Sequence, residues 1–384
     1  MRPLNLLYFT NVLARGGAEE HVLTLVRGLD RDQFRLHLVC PPVVAEKLRP
    51  DVPQDVELLP LCLRKPSQIG VALRLAQIIR KRQVDILHSH LFYSSLFASP
   101  VGWLCRVPVI VETPHISERW RHGWKSHFIV DRAAGRFVDY YIAVSHANAR
   151  YLIETKGLPT KKVIVIPNGC DLKRFDAKNT IPAGLKESLG FASNDPVLVV
   201  MGRLEPQKGH RVLLEAFPEI RREFPRVRLV CVGEGGLRID LETQAASLGL
   251  NGSARFVGYQ SNVADWLALA DVTVLPSFYE GLPLVAIESL ATGRPVVATS
   301  VDGTPEVVVD GKTGLTVPPG DAKSLAHAIC RLLRNPRLAR QLGNNGAAWV
   351  REHFDQNRQV QKTQELYLQA YEGSKRKSRI EDRG

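Results

Sequence analysis

Two pairs of side chains in the second half of the sequence have the types and spacing to hold a phosphorylated sugar. Arg203 and Lys208 stand five apart in GRLEPQKGH, and Glu280 and Glu288 stand eight apart in FYEGLPLVAIESLATGRPVVAT. A guanidinium forks onto two phosphate oxygens and an ammonium adds a compact charge, so this pair suits a diphosphate. Carboxylates accept hydrogen bonds from sugar hydroxyls. Gly281 permits an unusual backbone angle and Pro283 suits a first helical turn, so the stretch reads as a loop feeding a helix N-terminus. The free N–H groups there favour an anion. Glu288 lies about 7 Å along the helix from Pro283 at ~1.5 Å per residue, leaving the amides between the two acids. Taken alone, the acids also read as surface groups of one more βα unit, and the cations as solvated loop charges.

The first half offers a Gly16-Gly17 pair between a strand and a helix, where a backbone can approach an anion or simply turn. His115 closes VETPH at a strand end, and by residue type alone it reads as a satisfied structural histidine. His88, His90 and His146 read the same way. Gly233-Glu234-Gly235-Gly236 lacks the full spacing of a dinucleotide fingerprint and lies in a late βα unit, which argues against a nicotinamide cofactor.

These residues need elements to carry them. Short apolar, β-branched runs at Leu4–Thr10, Phe34–Cys40, Val56–Pro60, Val84–Ser89, Val109–Thr113, Tyr140–Val144 and Val163–Ile166 alternate with helical periodicity. The pattern restarts at Pro196–Gly202 and continues through Val227–Val232, Ala254–Gly258, Val272–Pro276, Val296–Thr299 and Gly314–Val317. Alternation of this kind predicts parallel sheets covered on both faces. The expected architecture is α/β, with two Rossmann-like doubly wound domains facing across a cleft and ligands outside the carboxyl strand ends. The expected divisions are an acceptor-binding domain over 1–180, a linker over 181–195, a nucleotide-sugar domain over 196–350, and a closing helix crossing back with a basic tail over 351–384. A single helical stretch is expected from Pro336 to about Tyr371, with disorder from Ser374.

At 384 residues the chain has length for two domains, and 45% apolar with 23% charged residues is ordinary for a globular protein. No run approaches the ~20 apolar residues of a membrane span, and the amino end reads as a strand rather than a signal peptide. The six cysteines are scattered without metal-ligand spacing, which fits reduced thiols in the cytoplasm and argues against a zinc site. The net charge of +12 is uneven: residues 1–180 hold 26 Lys+Arg against 16 Asp+Glu, or +10, leaving +2 for the rest. A basic amino half fits an anionic partner.

The motifs GGAE, IPNGCD, GRLEPQKGH and SFYEGLPLVAIESLATGRPVVAT, in that order over most of the chain, resemble the family 4 retaining glycosyltransferases of GT-B fold. The resemblance implies a nucleoside-diphosphate sugar as donor. Glu280 then contacts donor-sugar hydroxyls and Glu288 the ribose hydroxyls. Gly281, Leu282 and Leu284 offer backbone amides, and Arg203 and Lys208 bind the diphosphate. Gly17 approaches the same phosphate, His115 faces the donor sugar, and Tyr259 marks where backbone meets the nucleobase. The family often has Gly-Gly before the Pro-Glu of the segment that here reads VDGTPEVV, where this chain has Asp302-Gly303-Thr304-Pro305-Glu306, so that loop's contacts do not carry over.

The expected reaction is transfer of a hexosyl group with retention to a glycan or lipid-linked acceptor, as in bacterial envelope polysaccharide or lipopolysaccharide assembly. Glu280, His115, Arg203 and Lys208 are the expected catalytic group, with no cofactor and no metal. The segment Trp120-Arg121-His122-Gly123-Trp124-Lys125 and the run Leu91–Cys105, with Leu96, Phe97 and Trp103, mix apolar and cationic groups. They suit peripheral contact with the inner face of the cytoplasmic membrane. The alternatives are another GT-B-type enzyme, such as a sugar-nucleotide epimerase or a pyridoxal-dependent phosphorylase, and a non-catalytic nucleotide-sugar binder. No nucleic-acid-binding motif is present.

Overall fold

The computed structural model describes residues 2–11, 16–63, 65, 67–115, 129, 132–176 and 181–381. The basic aromatic segment at residues 120–125 lies outside them. The chain divides into two units, Met1–Gly169 with Gln356–Gly384, and Cys170–Asp355.

The first unit is built on seven strands: β1 Leu4–Thr10, β2 Phe34–Cys40, β3 Glu57–Pro60, β4 Ile86–His90, β5 Val109–Thr113, β6 Tyr140–Ala143 and β7 Val163–Val165. Their order is β3-β2-β1-β4-β5-β6-β7, with every pairing parallel. Both faces are covered. Leu6 and Tyr8 point into one apolar cluster with Leu36, Leu38 and Ile86, while Leu7 and Phe9 point into another with Val39, Leu87 and Ile110. That is the period-two alternation of a strand buried on both sides.

The second unit has six strands: β8 Val197–Met201, β9 Arg228–Val232, β10 Ala254–Gly258, β11 Val272–Leu275, β12 Val296–Thr299 and β13 Leu315–Val317, in the order β10-β9-β8-β11-β12-β13. Leu198, Val200, Val274 and Val297 pack against Leu213 and Phe217 of the His210–Glu223 helix and Ile329 of the Ala322–Arg334 helix. Each sheet reverses its strand order once, between β1 and β4 and between β8 and β11. Ligands bind doubly wound sheets at such switch points, outside the carboxyl strand ends.

The structure places the division of the chain differently from the sequence reading. Residues 181–195, expected as a linker, fold into the second unit. Phe191 is buried in a cluster with Val197, Val199 and Trp266. The Lys186 ammonium donates to the carbonyls of Ser193, 3.0 Å away, and Asp195, 2.9 Å away. The Asp195 carboxylate takes Arg226 at 3.0 Å and Arg228 at 2.8 Å. Glycines and a proline hid this anchoring, because they break periodicity without preventing burial.

The closing helical stretch is two helices, Pro336–His353 in the second unit and Gln356–Glu381 in the first. The break falls where Phe354 carbonyl accepts the Cys170 N–H at 2.8 Å. Helix also continues through the stretch expected to be disordered from Ser374, ending at Glu381. The second of these helices is fastened to the first sheet by a buried polar chain. Tyr8 and Tyr367 hydroxyls lie 3.2 Å apart, Tyr367 meets His88 Nδ1 at 2.6 Å, and His88 Nε2 meets Thr113 at 2.7 Å. In the Leu91–Cys105 run, Phe97 packs on the core while Trp103 is 56% exposed, so the run is part core and part surface.

Candidate active site

The loop after β8 and the loop after β11 meet at the switch point of the second sheet. Gly209 closes the first loop at φ +65°, and a Cβ there would lie 1.9 Å from the Pro276 carbonyl oxygen. Only glycine allows the left-handed angle and the close approach together. The His210–Glu223 helix starts at this point, so the same glycine joins loop, helix and β11.

That approach brings Lys208 to Glu280. The ammonium lies 2.5 Å from Oε1, with side-chain exposures of 22% and 7%. Ser277 donates to the same oxygen at 2.8 Å. A buried carboxylate without such partners would carry a large desolvation cost. Gln207 ties the two loops again: its backbone carbonyl accepts the Phe278 N–H at 2.8 Å, and its Nε2 donates to the Tyr279 carbonyl at 2.9 Å. Arg203 is exposed, and its Nη2 reaches Gln207 Oε1 at 3.3 Å. Asp302, after β12, accepts the Glu280 N–H at 2.9 Å. It holds φ +40°, an angle that non-glycine residues seldom adopt and that clusters at functional sites.

The Leu284–Ala291 helix begins three residues beyond Gly281, with Pro283 as its cap and no side chain capping its N-terminus. Glu288 is half-buried on that helix. Gly281 and Leu282 are buried in the loop before it, and Leu284 opens its first turn. Tyr259, after β10, is 57% exposed at the edge strand of the sheet, with β9 and β8 between it and β11. The glycines at 233 and 235 serve packing: Cβ atoms there would lie 2.0 Å from Gly202 oxygen and 2.5 Å from Leu204 oxygen. The arrangement gathers one exposed guanidinium, a paired ammonium and carboxylate, and a helix start whose cap residue, Pro283, makes no side-chain hydrogen bond to it. It can bind a diphosphate through its cations and amides, and hydroxyls through its acids.

The first unit gathers a different set at its own switch point. Gly17 opens the Gly17–Gly28 helix after β1, and His21 lies one turn further on. His90 ends β4, and His115 follows β5. His21, His90 and His115 are buried, and their coordinating nitrogens all lie within 4.8 Å of one another. His90 Nδ1 and His115 Nε2 are 3.0 Å apart. His21 Nδ1 meets Asn168 Oδ1 at 2.7 Å and Gln359 Nε2 at 2.9 Å. Burial lowers the His21 pKa to about 4, against the opposing Asn168 bond, and pushes those of His88, His90 and His115 well below the ordinary value. The rings are therefore neutral at neutral pH. Leu91, next to His90, holds φ +68° and ψ +153°, a region normally left to glycine.

The structure brings His21 and His90 beside His115 and Asp302 beside Glu280, groupings that residue types alone do not show. His21 sits on an amphipathic helix with no motif around it. Asp302 was visible only as a departure inside VDGTPEVV.

Family models match both parts of the chain: "Glycosyl transferases group 1" over residues 184–349 and "Glycosyltransferase Family 4" over residues 15–174. A D-inositol 3-phosphate glycosyltransferase of Streptomyces bingchenggensis is 31% identical over 316 residues, 76% of this chain and 68% of that protein. An Escherichia coli UDP-Gal:alpha-D-GlcNAc-diphosphoundecaprenol alpha-1,3-galactosyltransferase is 26% identical over 356 residues, 88% of this chain and 90% of that one. The crystal structure of Anabaena Alr3699/HepE in complex with UDP and glucose matches with a TM-score of 0.85 at 21% identity, covering 94% of this chain and 99% of that one. The chain belongs to the family 4 glycosyltransferases of GT-B fold. Among the described residues, no helix is long and apolar enough to cross a membrane.

His210 gives the candidate site a pH signature. It is 2% exposed, neither ring nitrogen has a hydrogen-bond partner among the described residues, and burial, with Lys208 nearby, lowers its pKa from 6.5 to about 4. Between those values the unfolded chain binds a proton that the folded chain refuses, so stability falls as pH drops through this window. Thermal or urea unfolding at pH 7 and pH 5 should show wild type losing about 2 kcal/mol more than His210→Gln. Equal losses would mean that the ring is not held neutral.

Proposed function

We propose that this glycosyltransferase moves a hexosyl group from a nucleoside-diphosphate sugar to a glycan or lipid-linked acceptor, with retention, in envelope polysaccharide or glycolipid assembly. The observation that carries the reading is the Lys208–Glu280 pair, set between Arg203 and the helix start at the switch point of the second sheet. The UDP named with the Anabaena protein and the diphosphoundecaprenol acceptor named for the Escherichia coli relative support the donor and acceptor classes.

In this reading Arg203 and Lys208 bind the diphosphate, with backbone amides of Gly281, Leu282 and Leu284. Glu280 holds donor-sugar hydroxyls. Glu288 holds the ribose, and the backbone at Tyr259 meets the base. A double displacement would need a carboxylate nucleophile beneath the anomeric carbon. Glu280, already held by Lys208 and Ser277, is assigned to binding instead. The reaction runs on one face of the sugar. The bond from the anomeric carbon to the phosphate oxygen breaks as the acceptor oxygen bonds to that carbon. The acceptor proton passes to the departing phosphate, whose charge the fixed cations stabilise. They take the part a metal ion plays elsewhere.

Transfer measured with a matched donor and acceptor should therefore persist in EDTA. It should drop by roughly 10²–10³-fold in Glu280→Ala, with the fold checked by thermal unfolding. Full activity of the folded variant would remove Glu280 from the site, and loss in EDTA would require a metal.

Peripheral membrane contact belongs to the same reading. Trp103 and Leu104 are exposed at the end of the Phe92–Leu104 helix, with exposed Arg106 beside them. Such apolar–cationic surfaces settle at anionic interfaces. The protein should float with anionic vesicles and do so less when Trp103→Ala is introduced. Absence of flotation for wild type would place the acceptor in solution.

A further inference from the structure

We propose that His90 is a positioning residue for the transfer: it donates its Nδ1–H to Nε2 of His115 and so keeps the His115 proton on Nδ1, the nitrogen left for a substrate hydroxyl. His90 ends β4, and His115 stands two residues beyond β5, the strand paired with β4. β4 pairs with β1 on its other side, so both rings stand at carboxyl strand ends beside the switch point of the first sheet, where doubly wound sheets take ligands. His90 Nδ1 and His115 Nε2 are 3.0 Å apart, a hydrogen-bond distance. The ring centres are 5.3 Å apart and the planes 26° from parallel. With the nitrogens so much closer than the centres, they lie between the rings, in line for one N–H···N bond.

Each ring has one proton to place. Burial, with the neighbouring imidazoles, pushes both pKa values well below the ordinary range, so both rings are neutral at pH 7. A neutral imidazole donates through one nitrogen and accepts through the other, and the partner of one nitrogen fixes the state of both. His90 Nε2 decides the direction: it is buried, with no hydrogen-bond partner among the described residues. Were His115 the donor, the His90 proton would sit on that nitrogen with no acceptor, and a buried N–H left so is the rarer kind of orphan. With His90 as donor the orphan is a lone pair. The rings of Tyr8, His21 and His88 pack around His90, with centroids 5.7, 5.4 and 4.1 Å away, and hold it in register. His115 then offers an Nδ1–H, which a hydroxyl oxygen accepts. That the hydroxyl belongs to a sugar substrate rests on the proposed function.

Long-range ¹H–¹⁵N correlation spectra of the full-length protein at pH 7 test the bond without substrate. The His115 signals, assigned by their loss in His115→Gln, should show Nδ1 protonated and Nε2 bare, the form that a free histidine populates less. His90→Phe, a ring of similar size without a donor, should release His115 to the commoner Nε2–H form. His90→Asn should restore Nδ1–H, since an asparagine amide nitrogen can stand where Nδ1 stood and donate to the same atom. Transfer from the nucleotide sugar should follow the proton: kcat/KM about tenfold lower in His90→Phe, the scale of one hydrogen bond, and within about threefold of wild type in His90→Asn. Both variants, checked for fold by circular dichroism, should bind the free nucleoside diphosphate as wild type does. A wild-type His115 protonated on Nε2, or the same tautomer in wild type and folded His90→Phe, would overturn the hydrogen bond. Equal losses in His90→Phe and His90→Asn would make His90 structural, and a tautomer shift with transfer unchanged would remove it from the reaction. Failure of wild type to use any nucleotide sugar would instead tell against the proposed function, and the spectra would still decide the bond.

Discussion

The ion pair between Lys208 and Glu280 is the constraint around which the second unit is arranged. It joins the loop after β8 to the loop after β11, the two strands between which the sheet reverses. Neither group would tolerate this burial alone. Removing one partner of a buried pair leaves a charge without compensation, whereas the pair as a whole adds little to stability. Its value here is positional. It fixes a carboxylate and an ammonium beside the start of the Leu284–Ala291 helix, and Asp302 and Gln207 hold the backbone on either side. Gly209 makes the approach possible by having no side chain where Pro276 comes close.

The first unit uses the same geometry with different chemistry. Its switch point lies between β1 and β4, and the residues at the strand ends there are imidazoles rather than ion pairs. The buried chain from Tyr8 through Tyr367 to His88 and Thr113 explains why residues 356–381 belong to this unit although they follow the second in sequence. A tyrosine hydroxyl and a histidine inside an apolar cluster must find partners, and each finds the other.

The strands were legible because each is a short apolar run buried on both faces. Leu4–Thr10, Phe34–Cys40 and Val109–Thr113 have the bounds read from periodicity. The cations and acids of the second unit were legible because their types and spacing carry chemistry on their own. What was not legible depends on strand order. Nothing in the sequence places β4 beside β1, and without that neighbour His21 and His90 are separate residues on unrelated elements. Residues 181–195 failed for another reason: a segment rich in turn-formers lost its periodicity, yet one phenylalanine and one lysine suffice to anchor it. The break near Phe354 was invisible because both flanking stretches are good helix and no proline or glycine separates them.

The central claim is that the loops joined by Lys208 and Glu280 bind the diphosphate of a nucleotide sugar. Equilibrium titration of wild type, Arg203→Ala and Lys208→Ala with a panel of nucleoside diphosphates and nucleotide sugars tests it most directly. The account predicts one nucleotide class bound by wild type, with both variants weakened by at least about tenfold, or ~1.4 kcal/mol. Binding of equal strength in the folded variants would contradict it and move the diphosphate elsewhere.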